Sequence, residues 1–292
     1  MHPAPSVIFF SVLSGAGFGL LAFLGIGLDG KATTSGLVTF TFFAVGYVLA
    51  VGGLLSATLH LANPKNAIYS FSQWRTSWLS REGIAAVAAL LSMGAYAGLI
   101  LFFDTRIAAL GYVASALCIF TVFTTAMIYT QIKAVPRWHQ PLATPALFLS
   151  YALTGGALLA GEVDIAGFLF LITALIQLWH WTGGDKAFRN AGTNMNTATG
   201  LKGAVRQFEA PHTGDNYLLK EMVYVVGRKH AFKLRVIALL FAALIPSFMM
   251  LGEVKHLGAL IAVALYFTGT FASRWLFFAE AEHVVGLYYG KR

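Results

Sequence analysis

Long apolar runs separated by shorter polar stretches recur along the whole chain. Most are close to the roughly 20 residues that an α-helix needs to cross a bilayer. The runs are unbroken and rich in Leu, Ala, Phe and Gly, whereas membrane barrel strands would alternate polar and apolar residues over about 10 positions. The pattern therefore predicts an all-α integral membrane protein with eight transmembrane helices, at Pro5–Leu28, Gly36–Leu61, Gly83–Phe103, Ala108–Ile132, Ala143–Ala160, Ile165–Trp181, Val236–Leu251 and Leu257–Phe278.

Two of these runs have special features. The first has no Lys or Arg before it and is too long for the apolar part of a signal peptide, so we expect it to be retained as a helix. The seventh contains Pro246, which should kink it. The eight helices are expected to form two four-helix bundles, in residues 1–141 and 142–292.

The longest polar segment, residues 182–235, is predicted to be a connector between the sixth and seventh helices and a docking platform for a partner protein. Its middle is rich in Gly and Asn, whereas Asn216–Lys233 has the pattern of an amphipathic helix. Contact with a partner and contact with the lipid surface are both compatible with this pattern.

The distribution of charge predicts the orientation in the membrane. The chain is 58% hydrophobic and only 11% charged, with a net charge of +8. With eight crossings, most of the basic residues fall on the side that holds both termini, and the other side has only Lys31, Arg106 and Lys255. Both termini should therefore be cytoplasmic in an inner membrane, and the positive charge needs no nucleic acid partner to explain it.

The connector His60–Glu82 concentrates ionisable and aromatic residues at a membrane boundary. Charges there are costly unless they face protein or water, so a functional site is the default hypothesis. A quinone site needs hydrogen-bond partners, a group that exchanges protons and an apolar slot for the ring. His60 and Glu82 have the chemistry for the first two tasks. The other candidate site residues in the connector are Arg75, Trp78 and Arg81.

Each candidate also has a purely structural interpretation. His60 can cap its helix, and Glu82 can be the acidic first-turn residue that the helix dipole favours. The arginines can anchor the loop at the lipid headgroups. Tyr129, near the end of the fourth run, is a further candidate hydrogen-bond partner of a quinone, and an interfacial aromatic residue is its simpler interpretation.

The single cysteine limits the redox groups that this chain can hold. Cys118 lies within an apolar run, and an iron–sulfur cluster generally needs four cysteines. We therefore expect no iron–sulfur cluster in this chain. We expect no haem either, because His230 lies in a basic cluster and His283 follows the last apolar run. Two alternatives remain open. One is a transporter, although this chain has few polar residues in the middle of its spans, where transporters usually carry them. The other is a haem b subunit with paired ligands among His60, His180, His230 and His283.

Several stretches of the sequence are those of a known family. HLANP followed by SWLSRE, in a chain that opens with HPAPSVIFFSVLSGAGFGL, resembles the DMSO reductase anchor (DmsC) family within the NrfD and polysulfide reductase anchor superfamily. The resemblance covers essentially the whole chain. PRWHQPL, EAPHTGDNYLLKEM, RKHAFKLR and RWLFFAEAEHVVGLYYG are most similar to the branch found as the membrane subunit of cytoplasmic sulfite dehydrogenases of the SoeABC type.

The resemblance implies an anchor subunit with no redox centre of its own, which exchanges electrons with ubiquinone or menaquinone. Its implied partners are a four-cluster iron–sulfur subunit and a molybdopterin catalytic subunit on the cytoplasmic face. The family's quinone-linked histidine and glutamate fall on His60 and Glu82, and its connector arginine falls on Arg75. The expected function is sulfite oxidation with quinone as acceptor, and the alternative is quinol-linked DMSO reduction. The expected cytoplasmic termini differ from the outside termini of some DMSO reductase anchors. This difference weakens the inference that the protein shares their substrate.

Overall fold

A computed structural model of the protein describes residues 1–28, 36–59, 64–209, 211–212, 214, 216–223, 229–252 and 256–290. No strand occurs in these ranges. A 3₁₀ segment, Pro64–Phe71, precedes α3, and a second, Val284–Tyr289, follows α9. The α-helices are α1 (Pro5–Gly25), α2 (Gly36–Thr58), α3 (Trp78–Phe103), α4 (Ala108–Thr130), α5 (Ala143–Leu159), α6 (Val163–Asn190), α7 (Met195–Thr199), α8 (Ala231–Met250) and α9 (His256–Ala279).

Seven helices in the described part of the chain are long and apolar enough to cross a membrane: α1, α2, α3, α4, α6, α8 and α9. The eighth predicted run corresponds to α5, which has 17 residues and is apolar but shorter. The all-helical class and the apolar character of its helices are thus confirmed.

Helix α1 lies in the interior of the bundle. Of its most apolar 18-residue window 78% is buried, against 28% for α2. Small residues allow this burial because they let neighbouring backbones approach closely. A Cβ atom on Gly17 would overlap the backbone nitrogen of Ala50 in α2, and one on Gly19 would overlap the carbonyl oxygen of Ala152 in α5. Helices α2 and α5 therefore pack directly on the α1 backbone.

Helix α6 is longer than its apolar run predicts: it continues beyond Trp181 and ends at Asn190. Two glycines in this extension lie against the loop between α4 and α5. A Cβ atom on Gly184 would lie 2.8 Å from Nη1 of Arg137. Arg189 in the last turn adds a favourable charge at the negative end of the helix dipole. The first nine residues of the predicted connector at 182–235 are therefore helical.

Helix α8 accommodates Pro246 through a wider turn. Proline has no N–H to donate, and its ring collides with the carbonyl of the residue four positions earlier. A π-helical turn at Leu240–Leu244 directly precedes the proline, and the α-helical geometry resumes at Ile245–Met250. One irregular turn thus lets an apolar helix continue past the proline.

The rest of the 182–235 connector has little regular structure among the residues described. A single π-helical turn, Leu218–Met222, ends at a bend at Val223, and α8 begins at Ala231. Residues 224–228 lie outside the described residues. The amphipathic helix predicted over Asn216–Lys233 is thus not continuous across Val223.

The start of α1 and the ends of α2, α4 and α9 meet at one face of the bundle, which we call the N-terminal face. Ser56 Oγ, near the end of α2, donates to the carbonyl oxygen of Ser6 at 3.0 Å. The backbone N–H of Val284 donates to the oxygen of Ala134 at 2.9 Å, just after α4. At the opposite face, Ser247 Oγ in α8 donates to the oxygen of Gly167 in α6 at 3.0 Å.

We expect Gly19→Ala to destabilise the bundle, because the added methyl group must push α5 away from α1. Overpacking of this kind costs about 1–3 kcal/mol. The matched control is Gly52→Ala in α2, where no atom lies within 4 Å of the added methyl group. The midpoint of thermal unfolding in detergent should fall for Gly19→Ala and stay near the wild-type value for Gly52→Ala. Equal midpoints would contradict the close approach of α1 and α5.

Candidate functional site

The connector before α3 folds back onto the first turn of that helix. Ser77 caps α3 by accepting a hydrogen bond from the backbone N–H of Ser80. The Ser80 hydroxyl in turn donates to the carbonyl oxygen of Ser70. Phe71 packs so closely on the same turn that a Cβ atom on Gly83 would lie 2.9 Å from its ring. These contacts fix the start of α3 with Glu82 turned towards the bundle.

Glu82 is buried between α3 and α4, with 5% of its surface exposed. Thr125 Oγ1 in α4 donates a hydrogen bond to its Oε1 atom. Thr125 is also within 3.0 Å of the carbonyl oxygen of Thr121. Because a hydroxyl has one hydrogen and two lone pairs, Thr125 can donate to an ionised Glu82 or accept from a protonated one. The pair can therefore exist in both charge states without moving.

Glu82 makes no ion pair with any residue that the structure describes, and the connector arginines turn elsewhere. Arg81 donates from Nε to the oxygen of Trp74 at 2.9 Å and from Nη2 to the oxygen of Arg75 at 2.7 Å. Its guanidinium lies 4.3 Å from the ring centre of Trp78. Arg75 is exposed, 5.3 Å from the Trp74 ring. Both arginines therefore stabilise the connector.

An aromatic strip runs along the outer surface of α3 and α4 beside the Glu82–Thr125 pair. It consists of Trp78, Phe123 and Phe120. The rings of Trp78 and Phe123 are 6.0 Å apart and those of Phe123 and Phe120 are 6.2 Å apart. Phe120 is 46% exposed, whereas Trp78 and Phe123 are half-buried. The strip joins the exposed apolar surface of α4 to the turn that carries Thr125.

Tyr129 lies one helical turn after Thr125 and is buried, with 8% exposed. Its ring contacts four aromatic rings at centroid distances of 5.3–5.6 Å, those of Trp138, Phe148, Phe277 and Phe278. It also interacts electrostatically with both Glu82 and Arg274. Tyr129 thus links α4, α5 and α9 in the interior of the bundle.

Five of the six predicted site residues are described by the structure, and they lie in two different places. Glu82 and Tyr129 lie in the interior, near Thr125. Arg75, Trp78 and Arg81 lie in or next to the connector outside that pair. His60 lies outside the described residues.

The histidines of the haem alternative have different surroundings. His180 in α6 is buried, and neither ring nitrogen has a hydrogen-bond partner among the described residues. His283 Nδ1 accepts the backbone N–H of Val285 at 3.0 Å, and partial burial, with the chain's amino terminus nearby, lowers its pKa. His230 is exposed at the start of α8. In the described ranges, no three His, Cys, Asp or Glu side chains are grouped closely enough to hold a metal ion.

A family model described as the DMSO reductase anchor subunit (DmsC) matches residues 1–280 of the sequence. The chain belongs to the DmsC family. It is 31% identical to a sulfite dehydrogenase subunit of Allochromatium vinosum, over 99% of both chains. It is also 31% identical to the anaerobic dimethyl sulfoxide reductase chain YnfH of Escherichia coli, over 59% of this chain and 61% of that one. No solved structure matches.

This DmsC-family chain also has a partly buried ionic cluster that the sequence patterns do not reveal. Arg137 in the α4–α5 loop contacts Asp185 at 2.5 Å and Glu280 at 3.4 Å. Arg235 in α8 contacts Asp185 at 2.6 Å and Glu280 at 2.8 Å. Two cations and two anions thus connect that loop, α6, α8 and the end of α9 near the N-terminal face. Their partners could not be inferred from sequence, because the four residues span 144 positions of the chain.

Arg274 is a further buried ionic residue, and it was not among the predicted site residues. Its position suggests one more basic residue near the cytoplasmic side, but its side chain is buried within the bundle, with 2% exposed. Its guanidinium lies 3.7 Å from the ring centre of Phe148 in α5. The signal in the sequence is an arginine inside an apolar run. Such a charge is costly in a membrane, and the residue is therefore a candidate functional residue.

We expect Glu280→Gln to destabilise the protein more than Asp185→Asn. The Glu280 side chain is 6% exposed and that of Asp185 is 44% exposed. Breaking a buried ion pair leaves uncompensated charge and costs about 3–5 kcal/mol, whereas water can solvate the partners of an exposed carboxylate. Thermal unfolding midpoints of the two matched variants measure the difference. A larger fall for Asp185→Asn would contradict the stabilising role of Glu280.

Proposed function

We propose that this protein is the membrane anchor of an iron–sulfur molybdoenzyme and exchanges electrons and protons with a quinone beside Glu82. The observation that carries the proposal is the burial of Glu82 against a single hydroxyl, with no ion pair to a described residue. A carboxyl held in this way can change its charge without breaking a salt bridge. That property suits a group that exchanges protons with a substrate.

Reduction of a quinone to a quinol takes two electrons and two protons. In the proposed site, Glu82 exchanges one proton with a quinone oxygen, and Thr125 stabilises both charge states of the carboxyl. The strip formed by Trp78, Phe123 and Phe120 gives the ring an apolar approach from the lipid. His60 is proposed as the partner of the second oxygen.

The proposed topology has eight crossings, with α5 as the fifth, arranged as two four-helix halves at 1–141 and 142–292. The loop before α5 lies at the N-terminal face, where Trp138 Nε1 donates to the oxygen of Phe277 at 2.8 Å. The short turn after α5 leads into α6, whose start lies at the opposite face. These contacts support a crossing by α5 in spite of its length. The excess of basic residues on the N-terminal face supports cytoplasmic termini in an inner membrane.

The proposed partners are a four-cluster iron–sulfur subunit and a molybdopterin subunit docked at the N-terminal face, on the 182–235 connector and the basic residues around it. The proposed reaction is sulfite oxidation, which the full-length similarity to a sulfite dehydrogenase subunit favours. The second candidate is DMSO reduction with quinol as donor, which the similarity to YnfH favours over part of the chain.

Purification of the tagged chain from its native membrane tests this assignment. We expect iron–sulfur and molybdenum subunits to copurify, and the complex to reduce a short-chain quinone with sulfite as electron donor. A complex that instead oxidises a quinol with DMSO would select the second candidate. A chain that purifies alone, or with bound haem visible in its absorption spectrum, would overturn the proposal.

We expect Glu82→Gln to lower quinone turnover by about 10²-fold, because general acid–base groups contribute 10²–10⁴-fold to rates. His60→Ala should also lower it. Both variants should keep the full set of subunits, which gel filtration of the solubilised complex measures. The matched carboxyl control is Asp164→Asn, on an exposed residue at the start of α6, which should leave turnover unchanged. Wild-type quinone kinetics in both site variants would remove the proposed roles.

A further inference from the structure

A polar cavity lies at the centre of the bundle, between α1, α4, α5 and α9. The free space at its centre is of the order of one water molecule. Serines of α1 form one wall, and Thr125 of α4 forms another. Its polar lining consists of Ser11, Ser14, Thr125, Tyr151, Tyr266, Thr270 and Arg274.

Arg274 brings hydrogen-bond donors to this cavity. Its Nε and Nη1 atoms are buried and have no hydrogen-bond partner among the described residues. The aromatic rings of Phe148 and Tyr151, 3.7 and 5.2 Å from the guanidinium, attract the charge but accept no conventional hydrogen bond from these atoms. A buried cation with unsatisfied donors is costly, so a polar group in the cavity is required to accept from it.

The hydroxyl oxygens around the cavity can accept hydrogen bonds from a group inside it. Each hydroxyl already donates its hydrogen to another protein atom: Ser11 to the oxygen of Ile8, Ser14 to that of Phe10, Thr270 to that of Tyr266, Tyr266 to that of Tyr151, Tyr151 to Gln177, and Thr125 to Glu82. An anion would face these oxygen lone pairs and be repelled. A water molecule fits, because it accepts from Arg274 and donates to the hydroxyls.

Thr125 connects the cavity to the candidate quinone site. It lines the cavity and also bonds to Glu82. Tyr129, one turn further along α4, interacts electrostatically with both Glu82 and Arg274. The carboxyl and the guanidinium thus both lie near the part of α4 that carries Thr125 and Tyr129.

We propose that an ordered water in this cavity bridges Arg274 to Thr125, so that Arg274 is the buried counter-charge that stabilises the ionised form of Glu82. Arg274 is then a positioning residue for proton exchange, although it does not touch the quinone. This inference rests on the proposed role of Glu82. It adds that the charge on α9 sets the pH range in which Glu82 changes its protonation state.

Among the residues that the structure describes, the surrounding charged groups leave Arg274 as the cation available to Glu82. Helix α1 contributes hydroxyls but no titratable side chain, and the phenols of the bundle titrate far above neutral pH in general. Arg81 and Lys65 belong to the connector, the first bonded to its carbonyls and the second exposed. His180 interacts electrostatically with Arg274 and must be tested separately. The other titratable groups on the elements around the pair are Tyr47, Tyr69, Tyr96, Tyr112, Cys118, Tyr129, Tyr151, His256 and Tyr266.

The test is the pH dependence of quinone turnover by the purified complex in three variants. Arg274→Gln removes the charge, and Arg274→Lys retains it. Ser11→Val replaces a buried hydroxyl of the cavity wall by a larger apolar side chain. We expect the inflection of the turnover profile to move to higher pH by about one pH unit in Arg274→Gln. It should move in the same direction in Ser11→Val and stay in place in Arg274→Lys.

A purely structural role of Arg274, through its packing on Phe148, predicts a different result. Arg274→Gln would then lower the thermal unfolding midpoint and leave the inflection unmoved, which would overturn the inference. If Arg274→Gln does not assemble, Ser11→Val decides alone, and an unmoved inflection overturns the inference. Loss of the inflection in His180→Asn would assign it to that histidine and have the same consequence. Normal turnover in Glu82→Gln would instead remove the proposed function itself.

Discussion

The hydrogen bond between Thr125 and Glu82 joins α3 to α4 at the one place where a carboxyl of the connector region enters the bundle. Its geometry depends on the connector as much as on the helices, because Ser80 and Phe71 hold the first turn of α3 in position. A charge at this depth needs a partner or a means of losing its charge. Thr125 serves both states of Glu82, and the candidate site derives its chemistry from this property.

The same region depends on how closely α1 approaches its neighbours. Gly17 and Gly19 bring α2 and α5 onto the α1 backbone, and Ser115 of α4 donates to the oxygen of Ala22 at 2.8 Å. A helix with larger residues at these positions would hold α5 farther from α4. The small cavity beside Thr125 exists because these helices are close enough to enclose it but have serines and a glycine on the facing surface.

The sequence predicts the helices well and their contacts poorly, for physical reasons. Apolar length predicts a membrane helix directly, so the runs are recovered to within a few residues. The end of α6 is missed because glycines usually stop helices, whereas Gly184 here makes room for Arg137. Glu82 stands out because it lies at a boundary. Thr125 does not, since a threonine in a helix normally bonds to its own backbone, and only the packing of α3 on α4 gives it a second partner.

Two buried carboxyls in this protein illustrate how the groups around a carboxyl determine its role. Glu280 contacts Arg137 and Arg235, and both arginines also contact Asp185, so protonation of Glu280 would remove one of the two carboxylates that balance these two cations. Glu82 has a hydroxyl in the corresponding position, and protonation costs it no ion pair with a described residue. Carboxyls whose environments differ in this way usually divide into one that stays charged and one that exchanges protons. The fixed charge holds the N-terminal face together, and the exchangeable one lies where α3 meets the aromatic strip, within reach of a substrate from the lipid.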